Sequence, residues 1–234
     1  FVGRDVELGE IVHQLSQEAC RLLSLTGIGG VGKSRLALQA AYELLRTGQF
    51  QDGIYYVALD ALTSDTFILN SIAERLELNL TSKDTELGQL SSYIGNKYLL
   101  FILDNFEHLM AGATLLSKLL QSCPNLKILV TSRERLNLEE EWVFALGGLL
   151  YPRGAVGGEI ELERARDFEA VDLFVERVLQ TQRDFSLNQE SLSAIADICK
   201  LVDGLPLALE LAATWINVIP VQDIVPEIEK NVDI

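Results

Sequence analysis

Residues 21–34 read Arg-Leu-Leu-Ser-Leu-Thr-Gly-Ile-Gly-Gly-Val-Gly-Lys-Ser. The first six residues include three leucines in a short apolar run, which predicts a buried strand, and helical periodicity begins at Ser34. Between them, residues 27–34 fit the spacing G-x-x-x-x-G-K-S (Walker A), in which backbone N–H groups surround phosphates. Lys33 would supply positive charge to the outer phosphates, and the Ser34 hydroxyl could bind Mg²⁺. A strand before the motif and a helix after it are the context that a phosphate-binding loop requires.

Two other nucleotide patterns fit this sequence less well. Gly27, Gly29 and Gly32 also satisfy G-x-G-x-x-G, the dinucleotide fingerprint, with Asp60 as a possible ribose ligand. That interpretation does not account for the Lys33-Ser34 pair. A guanine-recognition element is also not supported, because residues 96–99 read Asn-Lys-Tyr-Leu and lack the required Asp.

Apolar runs alternate with helical patterns over the first 150 residues. Strands are predicted at 21–26, 54–59, 98–103 and 126–130, with a fifth at 142–146. Helices are predicted from Ser34 to Gly48, near 68–76 with Ser64 or Asp65 as cap, near 87–94 and near 115–120. The buried face of the first helix is predicted to contain Leu36, Ala37, Ala40, Ala41, Leu44 and Leu45. This alternation predicts an α/β fold: a parallel P-loop NTPase sheet covered by helices on both faces.

The pattern changes after this region. Residues 147–158 are rich in glycine and are predicted to be a linker. Beyond them the sequence shows only helical faces, at 170–179, 192–202 and 208–215, with a further helix from Val221. The 208–215 face is predicted to bury Ala208, Leu211, Ala212 and Trp215. We therefore predict a P-loop domain over 1–150 and a small all-α domain over 160–234.

Composition limits the possible functions. The 234 residues carry a net charge of −15, and 48% of them are hydrophobic, which is typical of a globular chain. The acid excess disfavours non-specific binding to nucleic acid or to an anionic membrane. There are 12 basic and 18 acidic residues in 1–150, against 7 and 16 in 151–234, so acid is denser in the helical part.

Three cysteines and the chain ends suggest where this protein resides. Cys20, Cys123 and Cys199 are odd in number and lack metal-ligand spacing, which favours buried thiols in a reducing, cytoplasmic location. No apolar run reaches the roughly 20 residues of a membrane span. Because the sequence starts with Phe1, we expect it to be part of a longer protein.

Two further strand ends carry candidate catalytic residues. Asp104 follows the apolar run 98–103 (a Walker B pattern) and is predicted to hold the Mg²⁺ water shell, although an Asp can also simply cap the next helix. Glu107 could polarise an attacking water or be a solvated helix-start residue. Arg133 follows the fourth strand and is predicted to sense the outermost phosphate, with surface pairing to Glu134 or Glu139 as the alternative.

In this order, the motifs resemble the NB-ARC group of STAND ATPases, which are nucleotide switches. The elements are Phe1-Val2-Gly3-Arg4 with Glu7, the loop at 27–34, Leu103-Asp104-Asn105, Thr131-Ser132-Arg133 and Gly204-Leu205-Pro206-Leu207-Ala208-Leu209. Together they span almost the whole chain. The resemblance is closest to bacterial members that are joined to DNA-binding or tetratricopeptide modules.

This resemblance implies roles for particular residues. Val2 and Arg4 would lie by the adenine, and Pro206 would contact the base from the helical domain. The remaining nucleotide-binding residues would be Gly29, Gly30, Val31, Gly32, Lys33, Ser34 and Arg35. Independently of the resemblance, the sequence Gly-Leu-Pro predicts that Pro206 lies at the first position of a helix. The alternative to a contact with the base is that this proline simply starts the helix.

The resemblance also has departures. Family members often carry two acids after the third strand, whereas Asn105 stands at the second position here, so we expect hydrolysis to be slow. The winged-helix domain that normally follows lies outside this sequence. The expected function is a Mg²⁺-dependent ATP/ADP switch, a weak ATPase whose full-length form associates with itself in the ATP state. The alternatives are a phosphotransferase acting on a small substrate and a non-hydrolysing, nucleotide-stabilised scaffold.

Overall fold

The computed structural model describes residues 2–81, 84–152 and 162–232, and within them the chain forms two compact units. One unit contains Asp5–Gly29 and Lys33–Leu146. The other contains the residues before Asp5, the short segment Gly30–Gly32 and the described part of 147–232.

The first unit is built on a parallel sheet of five strands. These are β1 (Leu22–Thr26), β2 (Gly53–Ala58), β3 (Leu99–Asp104), β4 (Lys127–Ser132) and β5 (Glu141–Ala145). Their order across the sheet is β2-β3-β4-β1-β5, and every neighbouring pair is parallel. The strands β1, β3 and β4 are buried along their whole length, as expected when helices cover both faces. All five predicted strands are confirmed within one or two residues.

Helices connect the strands of this unit. They are α1 (Asp5–Ser16), α2 (Lys33–Thr47), α3 (Ile68–Arg75), α4 (Glu86–Ile94) and α5 (Ala113–Ser122). The four predicted helices are present, but α1 was not predicted, nor were the short 3₁₀ helices Asp65–Phe67, Phe106–His108 and Met110–Gly112. The Ser64 side chain accepts from the Thr66 amide and so caps the first 3₁₀ helix, not α3 itself.

A buried lysine fixes the unpredicted α1 to the sheet. Lys127 in β4 is 8% exposed, and its Nζ donates to the carbonyls of Leu15 and Gln17 at the end of α1. A cation at a helix C-terminus satisfies carbonyls that lack an intrahelical partner. Burial lowers the pKa of Lys127. The apolar anchors of α1 are Ile11 and Leu15, both fully buried.

The apolar core of this unit lies between the sheet and its helices. Phe101 and Ile128 from the strands pack there with Leu116 of α5 and Ile72 of α3. The predicted buried face of α2 is correct except for Leu45, which is 54% exposed. A stretch with two adjacent leucines fits a helical stripe in either of two rotations, and the packed helix buries only Leu44 of the pair.

The second unit is helical, with its own core. Its helices are α6 (Glu169–Thr181), α7 (Gln189–Leu201), α8 (Pro206–Trp215) and α9 (Val221–Val232), preceded by a 3₁₀ helix over Leu162–Asp167. Buried side chains such as Phe174, Ile195 and Ile224 form the core. Asn188 and Ser191 form a reciprocal capping box at the start of α7.

The predicted buried face of α8 is wrong in part. Ala212 is buried as expected, but Leu211 is 58% exposed, whereas Leu209 and Ala213 are buried. Eight of the ten α8 residues, PLALELAATW, are apolar or proline, so the sequence offers little contrast between faces. Hydrophobic periodicity identifies the buried face of a helix only where polar residues mark the opposite face.

The predicted linker is only partly within the described residues. Residues 153–158 lie outside them. Gly147 to Pro152 form no helix or strand, yet Leu149 is 3% exposed in the helical core, and its amide donates to the Gly204 carbonyl. A Cβ on Gly148 would lie 1.9 Å from the Asp203 carbonyl oxygen, so this segment packs closely on the turn before α8.

The three cysteines are free and buried. Burial raises the pKa of Cys20 to about 11 and that of Cys199 to about 12, which disfavours their reactive thiolate forms. Among the described helices, none combines the length and the apolar character needed to cross a bilayer.

Adjacent leucines in α2 test the core assignment. Leu44 is fully buried and Leu45 is 54% exposed. We expect Leu44→Ala to lower the free energy of unfolding by about 2–5 kcal/mol, because it removes buried methyl groups and leaves a cavity. Leu45→Ala, the matched control, should change it by less than about 0.5 kcal/mol. Urea denaturation measures both, and equal losses would contradict the placement of this helix.

Candidate nucleotide-binding site

The loop between β1 and α2 has the backbone conformation that phosphate binding needs. Gly30 and Gly32 have φ of +78° and +98°, a region that residues with a Cβ rarely adopt. A Cβ on Gly32 would meet nothing within 4 Å, so its backbone angle and not its surroundings requires glycine there. The α2 helix begins directly afterwards at Lys33, and its first amides lack intrahelical partners. Such a terminus is a ready anion site.

Lys33 lies folded back along this loop. Its side chain is largely buried at 7% exposure, and Nζ donates to the carbonyls of Gly27 at 2.8 Å and Ile28 at 3.1 Å. Burial lowers the pKa of Lys33, while the nearby carboxylate of Glu107 works in the opposite direction. The ammonium is therefore held by backbone oxygens at the start of the loop.

Asp104 ends β3 as a buried carboxylate with a donor on each oxygen. It is 5% exposed; Oδ1 accepts from the Thr131 hydroxyl at 2.5 Å and Oδ2 from the Tyr56 hydroxyl at 2.6 Å. Asn105, at φ +64°, donates its amide to Thr131 Oγ1 at 3.0 Å. Burial and the bond to Asp104 raise the pKa of Tyr56, so its phenol remains a donor.

Arg133 and Glu107 form an ion pair beside the loop. Arg133 Nε lies 3.2 Å from Glu107 Oε1, with the arginine side chain 68% exposed and the glutamate 22%. Glu107, not Glu134 or Glu139, is thus the carboxylate that Arg133 contacts. A Cβ on Gly29 would be 3.7 Å from Arg133 Nη2, which places the guanidinium next to the loop.

The four predicted catalytic residues are close together. The pKa of Lys33 responds to the charges of Glu107, Arg133 and Asp104. Glu107 Oε2 is buried and has no hydrogen-bond partner in the described residues. One carboxylate atom in the cluster is therefore available to a donor such as water.

The chemistry of the site fits magnesium. Asp104 and the half-buried Ser34 offer a carboxylate and a hydroxyl, the hard oxygen ligands that Mg²⁺ prefers. Across the described ranges, no three His, Cys, Asp or Glu side chains gather as a metal cluster. Magnesium is commonly held by one or two protein oxygens together with phosphate oxygens and water, so this sparse donor set is adequate.

The residues implied at the adenine lie in the second unit. Arg4 is 5% exposed; its amide donates to Glu169 Oε1 at 2.8 Å, and Nη2 donates to the carbonyls of Gly147 at 2.7 Å and Val31 at 3.3 Å. Val2 packs against the helical core. The Arg4 guanidinium thus donates to two backbone carbonyls, and sequence reasoning missed Glu169, the acceptor of the Arg4 amide.

Pro206 begins α8, as its sequence context predicts. The amide of the following residue, Leu207, donates to the Gly30 carbonyl at 3.2 Å. A Cβ on Gly30 would approach Leu207 Cβ to 2.8 Å, so this glycine is needed for space as well as for its backbone angle. Arg35, in the first turn of α2, is exposed.

Comparison with known proteins identifies the family. The family model of the NB-ARC domain matches residues 4–138, more than half of the chain. The chain therefore belongs to the NB-ARC family, and its fold is the α/β P-loop fold with a helical region after it. The resemblance drawn from the motifs is confirmed.

Individual relatives are longer than this chain. An uncharacterised protein of Mycobacterium tuberculosis is 34% identical over 214 residues, covering 91% of this chain and 50% of that protein. A second protein of that organism, provisionally described as an HTH-type transcriptional regulator, is 33% identical over 198 residues, covering 84% of this chain and 20% of its own length. The chain spans about half the length of the first of these relatives and about a fifth of the second.

Solved structures share the fold. The ORC2 protein of Aeropyrum pernix, solved as ADPNP–ADP complexes, matches with a TM-score of 0.56 and 14% identity, covering 89% of this chain and 60% of that one. At this identity the likeness concerns the fold alone.

A pair of glycines tests the loop geometry. We expect Gly30→Ala to lower the free energy of unfolding by at least about 1–2 kcal/mol, because the left-handed backbone and the contact with Leu207 both oppose a methyl group. Gly9→Ala, in α1 where a Cβ meets nothing within 4 Å, should instead stabilise by about 0.5–1 kcal/mol. Urea denaturation decides, and a neutral Gly30→Ala would show that the loop adopts another conformation.

Proposed function

We propose that this chain binds ATP and ADP with Mg²⁺ at residues 27–34 and serves as a slowly hydrolysing switch in a longer protein. The observation that carries this proposal is the cluster of Lys33, Asp104, Glu107 and Arg133 beside a loop of left-handed glycines. The Lys33 ammonium and the loop amides can donate to phosphates, and the Asp104 carboxylate can bind a cation. The Arg133–Glu107 ion pair lies beside them.

Each residue has a proposed role. Lys33 and the loop amides bind the phosphates, Ser34 and Asp104 hold the magnesium, and Arg133 contacts the γ-phosphate. When bound, magnesium would neutralise phosphate charge. The other residues that we propose contact the nucleotide are Val2, Arg4, Gly29, Gly30, Val31, Gly32, Arg35 and Pro206.

Slow hydrolysis follows from the state of Glu107. A general base needs a free carboxylate within reach of the attacking water. Here Glu107 Oε1 already accepts from Arg133, so the carboxylate is engaged by a guanidinium, although Oε2 has no hydrogen-bond partner among the described residues. Asn105 cannot act as a base in its place. We therefore propose a turnover far below that of P-loop enzymes with a free catalytic carboxylate.

The switch itself involves the two predicted domains, 1–150 and 160–234. We propose that ADP favours a resting arrangement and ATP an arrangement in which full-length copies associate, a ligand-biased two-state equilibrium. We also propose a cytoplasmic location and no direct contact of this chain with nucleic acid, which its net charge of −15 disfavours. DNA binding in HTH-type relatives would then belong to another domain.

Removing the loop lysine tests nucleotide binding. Lys33→Ala should weaken ADP binding by about 10–100-fold, because a charged hydrogen bond to phosphate is worth about 1.5–3 kcal/mol. Lys118→Ala, an exposed lysine on α5, is the control and should leave the affinity unchanged. Isothermal titration calorimetry measures both, and unchanged ADP affinity in Lys33→Ala would refute the proposed site.

Arg133 tests recognition of the γ-phosphate. Because only ATP carries this group, Arg133→Ala should reduce the ATP hydrolysis rate by at least about tenfold and leave ADP affinity within about twofold. Arg135→Ala, an exposed arginine two residues on, should change neither. Single-turnover hydrolysis and calorimetry supply the readouts; an equal loss of ADP and ATP binding would mean that Arg133 has no γ-phosphate role.

A further inference from the structure

The Asp104 carboxylate is held from both of its neighbouring strands. Thr131 belongs to β4 and Tyr56 to β2, and β3 lies between those strands. Val130 pairs with Leu103, so Thr131 and Asp104 follow side by side, and Ala58 pairs with Asp104 from the other strand. Tyr56 precedes Ala58 by two residues and therefore faces the same side of the sheet. The register thus brings both hydroxyls to one carboxylate.

These two donors differ in kind from the partner of the other acid in the cluster. Glu107 contacts a guanidinium, which cancels its charge. Asp104 accepts from two neutral hydroxyls, which satisfy a buried carboxylate but do not themselves neutralise its charge. A buried carboxylate with neutral donors fixes one orientation and keeps the charge available to a cation.

We propose that Tyr56 and Thr131 are positioning residues of the magnesium site, holding the Asp104 carboxylate in the orientation that receives the ion and its water. This inference rests on the proposed function and adds to it the two side chains on which metal affinity depends. A phenylalanine ring fills the space of a tyrosine ring. Replacing Tyr56 by Phe therefore removes the hydrogen bond to Asp104 and keeps the packing of the ring.

Magnesium dependence of ADP binding tests the proposal. ADP affinity is measured by calorimetry in EDTA and across a Mg²⁺ titration, for the wild type and for Tyr56→Phe. The variant should match the wild type in EDTA but need about tenfold more Mg²⁺ for the half-maximal gain in affinity. Tyr55→Phe is the matched control: its hydroxyl makes only a 3.4 Å contact to the Asp52 carbonyl, and it should behave as wild type.

Thr131 supplies a second, independent comparison. Thr131→Val removes the hydroxyl and should raise the Mg²⁺ requirement in the same direction as Tyr56→Phe. Thr131→Ser keeps the hydroxyl and should restore the wild-type requirement, which a purely steric role would not explain. Thermal unfolding without nucleotide confirms that each variant is folded.

The possible outcomes are separable. If the wild type binds ADP with a clear Mg²⁺ dependence and both hydroxyl-deleted variants share it unchanged, the positioning role is wrong and the proposed function stands. If the wild type binds ADP with no Mg²⁺ dependence, or fails to bind it, the magnesium site or the nucleotide site itself is refuted.

Discussion

The parallel hydrogen-bonded pairing of β1, β4 and β3 is the constraint on which the candidate site depends. Parallel strands present all their carboxyl ends at one edge, where ligands bind in open α/β sheets. That edge receives the loop after β1, Asp104 at the end of β3 and Arg133 after β4. These residues are far apart in sequence, and a one-residue slip of β3 against β4 would turn Asp104 to the opposite face.

Burial of the strands specifies this register. The central strands carry continuous apolar runs that pack on both faces, and Phe101, Ile102 and Leu103 are fully buried directly before Asp104. Asp104 can be buried to 5% exposure because two hydroxyls donate to its carboxylate. Lys33 can be buried to 7% exposure because its ammonium donates to loop carbonyls. The polar groups of the site are therefore held rigidly by the same core that the apolar runs create. Although the chain has a net charge of −15, Lys33 and Arg133 concentrate positive charge at this edge of the sheet.

Sequence reasoning reached the strands, the loop and the grouping of Lys33, Asp104, Glu107 and Arg133 because each has a strong local signal: long apolar runs, a fixed glycine spacing and charges directly after strands. It did not reach α1, because only Ile11 and Leu15 of its sequence DVELGEIVHQLS are buried and its end is held by the distant Lys127. The exposure of Leu45 and Leu211 depended on how each helix rotates against its neighbours. Tyr56 was missed because only the pairing of β2 with β3, a non-local event, brings its hydroxyl to Asp104. The individual roles of the site residues remain predictions.

The unequal pairing of the two acids gives the proposed switch a physical basis. Arg133 is 68% exposed, so its ion pair with Glu107 is worth at most about 1 kcal/mol. A γ-phosphate close to the guanidinium offers more negative charge than one carboxylate, and charge-assisted bonds from arginine to phosphate are bidentate and strong. Transfer of Arg133 from Glu107 to the phosphate would then cost little. ADP, which lacks that phosphate, would leave the ion pair intact. A weak, exposed ion pair beside the phosphate-binding loop would thus be the part of this site best suited to report which nucleotide is bound.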